Sequence, residues 1–123
     1  MKDYANCTPY EFKLMVLAQL ELAANYQMMN DCEDYFRSVL EAVNETIEFN
    51  KEMIHQLEIR LDKVTGYLKS TARPRNSLKI NGLIMLDSTV CEWLKDSRKK
   101  LTELKINLNC YEDVHEALMS FGI

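Results

Sequence analysis

The sequence predicts an all-α fold, an elongated helical hairpin or bundle with coiled-coil-like heptad seams. It reads as one domain over 1–123 with about four helices, at 9–29, 31–70, 77–108 and 110–121. Three observations carry this. The 123 residues hold only three glycines and two prolines, where average usage would supply about fifteen. A sandwich or barrel needs a turn about every ten residues, so the supply does not suit an all-β fold. Residues 10–65 contain neither glycine nor proline. Within that stretch lies a long row of apolar residues at alternating spacings of four and three.

Each helix has its own start signal. Thr8-Pro9-Tyr10-Glu11 is a capping box with proline at the first helical position. The Thr8 hydroxyl is expected to accept from the Glu11 amide, and the Glu11 carboxylate to reach back to the Thr8 amide. In the helix that follows, Phe12, Leu14, Met15, Val16, Leu17, Leu20, Leu22, Ala23, Tyr26 and Met29 wrap most of the circumference. A helix apolar on so many sides needs more than one neighbour. Asn30-Asp31-Cys32-Glu33 is a second cap of the same shape. Asn109-Cys110-Tyr111-Glu112 is a third, opening a short last helix that ends near Gly122. The helix between them is started less clearly. Asn76 or Ser77 is one cap for it, after Pro74, and Thr89-Val90-Cys91-Glu92 competes.

The second helix carries the seam. Phe36, Leu40, Val43, Ile47, Asn50, Ile54, Leu57, Leu61, Val64 and Leu68 repeat as a heptad row suited to self-association. Asn50 is its one polar member. It is expected either to pair with its copy and fix register, or to sit at a bend or face water. Val90, Leu94, Ser97, Leu101, Leu104 and Leu108 repeat the spacing. The two rows suggest an antiparallel hairpin turned around Ala72–Asn76, with the basic connector Lys69–Lys79 at its tip. Gly66 and Gly82 flank that tip, marking frayed ends or close helix contacts. A helix over 31–70 would be about 60 Å long at ~1.5 Å per residue, twice the width of a compact globule of this size. Helix 1 is too short to cover it, so a homodimer is expected.

Apolar content of 47% with 28% charged residues is ordinary globular chemistry. No run of residues has the length and apolarity of a membrane span, and the start Met1-Lys2-Asp3-Tyr4 carries no targeting signal. A cytoplasmic location without membrane attachment is expected. The four cysteines, Cys7, Cys32, Cys91 and Cys110, are scattered and are expected to be reduced thiols. The net charge of −4 hides a division. Residues 1–50 hold three bases against nine acids, whereas 63–105 hold ten bases against four acids.

The chemistry-bearing candidates are few. Both histidines follow a glutamate by three, as Glu52/His55 and Glu112/His115. That is the spacing of carboxylate-bridged metal bundles, with Glu21, Glu92 and Glu103 as further donors. The heptad phase puts Glu52 and His55 on the outer face, and Glu112 is committed to its cap, so no metal site is expected. His115 lies near Asp113 and Cys110, but no nucleophile motif, phosphate loop or zinc-protease signature occurs. No cofactor and no enzymatic activity are expected. Lys69, Arg73, Arg75 and Lys79 around the connector, with Lys95, Arg98, Lys99 and Lys100 on the next helix, form a basic set for an acidic partner or nucleic acid. Trp93 and the methionines Met15, Met28, Met29 and Met53 are expected to fill the core. The function expected is that of a non-enzymatic interaction protein, an adaptor, inhibitor or assembly factor working through helix faces with itself and another protein. The alternative is a nucleic-acid-associated regulator using the basic 63–105 surface.

Overall fold

The computed structural model describes the backbone of residues 7–69, 77–80 and 83–123, and the side chains of residues 7–66 and 89–123. The fold is helical. Its elements are α1 (Pro9–Asn25), α2 (Glu33–Lys69), β1 (Ser77–Ile80), β2 (Leu83–Leu86) and α3 (Asp87–Ser120). The described residues thus form three helices, where the sequence suggested four.

The capping box at Thr8 starts α1. The Thr8 Oγ1 accepts from the Glu11 amide at 3.1 Å, and its hydroxyl donates to Glu11 Oε1 at 3.2 Å. The helix stops at Asn25 instead of 29. The Met28 amide donates to the Ala23 carbonyl (2.7 Å) and the Gln27 amide to the Ala24 carbonyl (3.2 Å). This pair of bonds is a Schellman closure, and it puts Gln27 at φ 56°. Glycine usually marks such a position, and here none does. Helix α2 then begins at Glu33 instead of 31, with Glu33 and Asp34 in its first turn, where carboxylates favour the helix dipole.

The largest correction concerns 77–121. Residues 77–80 and 83–86, expected as the start of a helix or, with the cap at Thr89, as a separate turn, form an antiparallel pair, with Ser77 opposite Leu86 and Ile80 opposite Leu83. The overlooked signal is Asn81-Gly82 between short apolar stretches, the strongest local mark of a hairpin. Conversely, the expected break at Asn109 is absent and α3 runs through it. Cys110 is buried there and Val114 and Leu118 continue the apolar face, so packing outweighs a local capping pattern. The C-terminus closes as expected. Gly122 has φ 83°, its amide donates to the Met119 carbonyl, and the Ile123 amide donates to the Leu118 carbonyl.

The chain divides into two compact units, Met1–Lys51 with Ile106–Ile123, and Glu52–Lys105. In the first, Val16, Leu20 and Ala23 of α1 meet Phe36, Val39, Val43 and Ile47 of α2 and Val114 and Leu118 of α3. Each set recurs at spacings of three and four, so each helix turns one stripe inward. Burying a side chain of this size stabilises by about 1.5–3 kcal/mol. Phe12 and Tyr111 stack with ring centroids 5.9 Å apart, and Tyr35 donates its hydroxyl hydrogen to Gln19 Oε1 at 2.9 Å. In the second unit, Leu61 and Val64 of α2 cluster with Val90 and Leu94 of α3, and Leu57, Trp93 and Leu101 pack against them. Glu58 faces Lys105 at 3.8 Å, so the two helices run antiparallel here, as the paired heptad rows suggest.

Candidate interaction surfaces

The heptad row of α2 is occupied by the chain itself. Phe36, Val43, Ile47, Asn50, Ile54, Leu61 and Val64 are buried, and Leu40 and Leu57 are half-buried. Leu68 lies outside the described side chains. In the first unit the row meets α1 and the end of α3, and in the second it meets the beginning of α3. Asn50 neither faces water nor leaves its amide free. Its Nδ2 donates to the Thr46 carbonyl one turn earlier, at 2.8 Å, which satisfies the donor inside a single helix. Ser97 occupies the matching polar position on α3 and is buried as well.

Of the basic set, Lys95, Arg98, Lys99 and Lys100 are exposed on α3. Glu92, Asp96 and Glu103 are exposed on the same helix, so carboxylates flank and interrupt the cations. The side chains of Lys69, Arg73, Arg75 and Lys79 lie outside the described residues, as do residues 70–76 of the expected connector and Gly82, while residues 77–79 of that connector belong to β1. Gly66 is inside α2, and among the described residues nothing beyond its chain neighbours and its own helix backbone comes within 4 Å of where its Cβ would be. It marks neither a frayed end nor a close helix contact.

The two Glu-x-x-His pairs stand apart from each other in kind. Glu52 and His55 are both exposed, and Glu52 Oε1 accepts from Gln56 Nε2 at 2.9 Å. Glu112 is exposed in mid-helix instead of capping a terminus, and His115 is half-buried. Glu112, His115 and Glu116 share a groove of about 410 Å³ with Asn44, Glu48 and Lys51. No group of three or more His, Cys, Asp or Glu among the described residues is placed to hold a metal ion. Cys7 and Cys32 are half-buried, Cys91 is exposed, and Cys110 is buried. No described helix is long and apolar enough to cross a membrane.

The surface that the sequence signalled through composition alone is on α1. Val16, Leu20 and Ala23 face the core, yet Tyr10, Leu14, Leu22 and Tyr26 are 59%, 47%, 55% and 71% exposed. The helix is therefore apolar on two opposite sides, and its buried stripe accounts for only one of them. Beside its C-terminal end, Leu22, Tyr26, Met28, Cys32, Tyr35 and Phe36 line an open apolar groove of about 370 Å³. A second cavity of about 300 Å³ lies between Phe12, Tyr35, Val39, Val43 and Tyr111. Burial raises the Tyr111 phenol above its ordinary range, with a smaller contribution from the neighbouring Cys110 sulfur. No protein-family model, curated protein or solved structure matches the chain.

Proposed function

We propose that this protein is a non-enzymatic interaction module that acts through helix faces and assembles as a homodimer, serving as an adaptor, inhibitor or assembly factor for another protein. One observation supports this reading above the others: the outward row of large apolar side chains on α1, exposed while the opposite face of the same helix fills the core. Exposed apolar patches of this kind mark interaction sites in stable proteins. The heptad rows of α2 and α3, with their coiled-coil-like spacing, act on this reading as the scaffold that holds α1 in place.

Two measurements test it together. Multi-angle light scattering is expected to give twice the 14.4 kDa chain mass. Affinity capture from the native host, with mass spectrometry, is expected to recover another protein together with the chain. A monomer that captures nothing would remove the reading.

A nucleic-acid-associated regulator is the second reading, favoured by Lys95, Arg98, Lys99 and Lys100 exposed within six positions of α3. Binding through phosphate contacts would fall steeply with salt. No gel shift with DNA or RNA at low salt would exclude it.

A further inference from the structure

We propose that the outward face of α1 is a two-fold self-docking surface, on which a second copy of the chain packs its own α1 in the antiparallel sense about Ala18. This rests on the homodimer reading above and names the surface that reading requires.

The pattern on the helix is a palindrome. Tyr10, Leu14, Ala18 and Leu22 of α1 and Tyr26, which caps its C-terminal end, lie four residues apart, so the row reads the same from either end. In a two-fold pairing a residue i that meets j must also be met by j. With Ala18 on the axis, Leu14 meets Leu22 of the second copy, and the tyrosines close the two ends. A foreign helix has no reason to mirror this row; a second copy does so automatically.

Helix geometry places the row correctly. Ala18 is two residues from Val16 and two from Leu20, and at ~100° per residue it points about 160° from each. Those two are fully buried and Ala18 is exposed, so the palindrome is centred on the side facing away from the core. Rows spaced by four are the ridges that interlock in the commonest class of helix pair, at about −50°. The small Ala18 at the centre allows the close approach, about 8 Å between axes, that such a crossing reaches.

Between Tyr10 and Tyr26 the charged residues are Glu11, Lys13 and Glu21; Lys13 is turned to Asp113, and Glu11 and Glu21 are exposed beside the row. With a full aromatic side chain presenting roughly 150–250 Å², the four exposed side chains and Met28 offer on the order of 500 Å². Two copies together reach about 1,000 Å², the scale at which a specific interface begins. The 370 Å³ groove beside Tyr26 lies at the end of the row, where the second copy's Tyr10 would arrive.

The test uses the full chain. Ala18→Cys, in a background with Cys7, Cys32 and Cys91 changed to Ser, is expected to cross-link to a covalent dimer under mild oxidation, because the two-fold axis brings residue 18 against its copy. Glu41→Cys in that background, exposed on α2, is expected to dimerise without forming a covalent cross-link. Ala18→Glu is expected to convert the dimer mass to the monomer mass with unchanged circular dichroism. A dimer that survives Ala18→Glu and does not cross-link at 18 would overturn this face while leaving the homodimer reading intact. A wild-type chain that stays monomeric at tens of micromolar would overturn both.

Discussion

Lys13 and Asp113 are a hundred positions apart, and their side chains meet at 2.7 Å, joining the first turns of α1 to the C-terminal part of α3. The Phe12–Tyr111 ring contact sits beside this link. Together they hold α1 at the edge where its other face is left exposed. The hydrogen bond to Asp113 raises the Lys13 ammonium above its ordinary range, against an opposing desolvation, and that carboxylate's field adds a smaller upward push.

Alkaline pH is expected to destabilise this corner. Lys13 and Tyr111 both bind their protons more tightly in the folded chain. Their contribution is present below the unfolded values, 10.5 and 10.0, and is lost as pH rises through the higher folded values. Chemical denaturation should therefore show a stability that falls across the pH range just above 10. Tyr111→Phe should flatten part of that fall. Ultraviolet titration should show a late phase for Tyr111, and that phase should vanish in Tyr111→Phe.

Two backbone positions carry residues poorly suited to them. Gln27 adopts the left-handed conformation that closes α1, which costs a side-chain-bearing residue about 1 kcal/mol relative to glycine. Gly66 sits in α2 with open space where a Cβ would be, and glycine in a helix costs about 0.5–1 kcal/mol relative to alanine. Gln27→Gly and Gly66→Ala should each raise the unfolding free energy by roughly those amounts. The two changes are far apart in sequence, and their effects should add.

Core and surface positions on α1 should separate cleanly. Leu20→Ala, or Leu118→Ala opposite it in the same core, should cost about 2–5 kcal/mol, since both side chains are fully buried. Leu14→Ala should change unfolding at fixed low concentration by less than about 0.5 kcal/mol. Equal losses at Leu14 and Leu20 would show that both faces of α1 are core.

Asn50 offers a further check on the seam. Its amide is held by the Thr46 carbonyl within α2, so the fold does not need it as a cross-helix partner. Asn50→Leu should raise thermal stability by an amount equivalent to about 1 kcal/mol, by removing a buried polar group. A loss of stability instead would show that the amide has a further partner that matters.

Much of the architecture was legible locally. The Thr8 capping box and the Gly122 terminus needed only neighbouring residues. So did the heptad spacing of α2, because helical periodicity shows directly which residues share a face. The β1–β2 pair was also written in Asn81-Gly82, but the surrounding apolar residues fit a helix and a strand equally well over so short a run. The seam's occupant was not legible. Spacing says that Phe36, Val43 and Leu61 are covered, and it is silent on whether the cover comes from the same chain or another.

The sequence by itself determined a helical chain, the start of its first helix and the close of its last, and an α1 apolar on nearly every side. Tertiary structure alone decided that α3 runs unbroken through Asn109. A local cap contributes about 1 kcal/mol, and burying Cys110, Val114 and Leu118 on one continuous face outweighs it. It also decided which side of α1 meets the core. Val16 and Leu20 are no more apolar than Leu14 and Leu22, and only packing against α2 and α3 distinguishes them. That choice, made by long-range contacts such as Lys13 with Asp113, leaves Tyr10, Leu14, Ala18, Leu22 and Tyr26 facing outward.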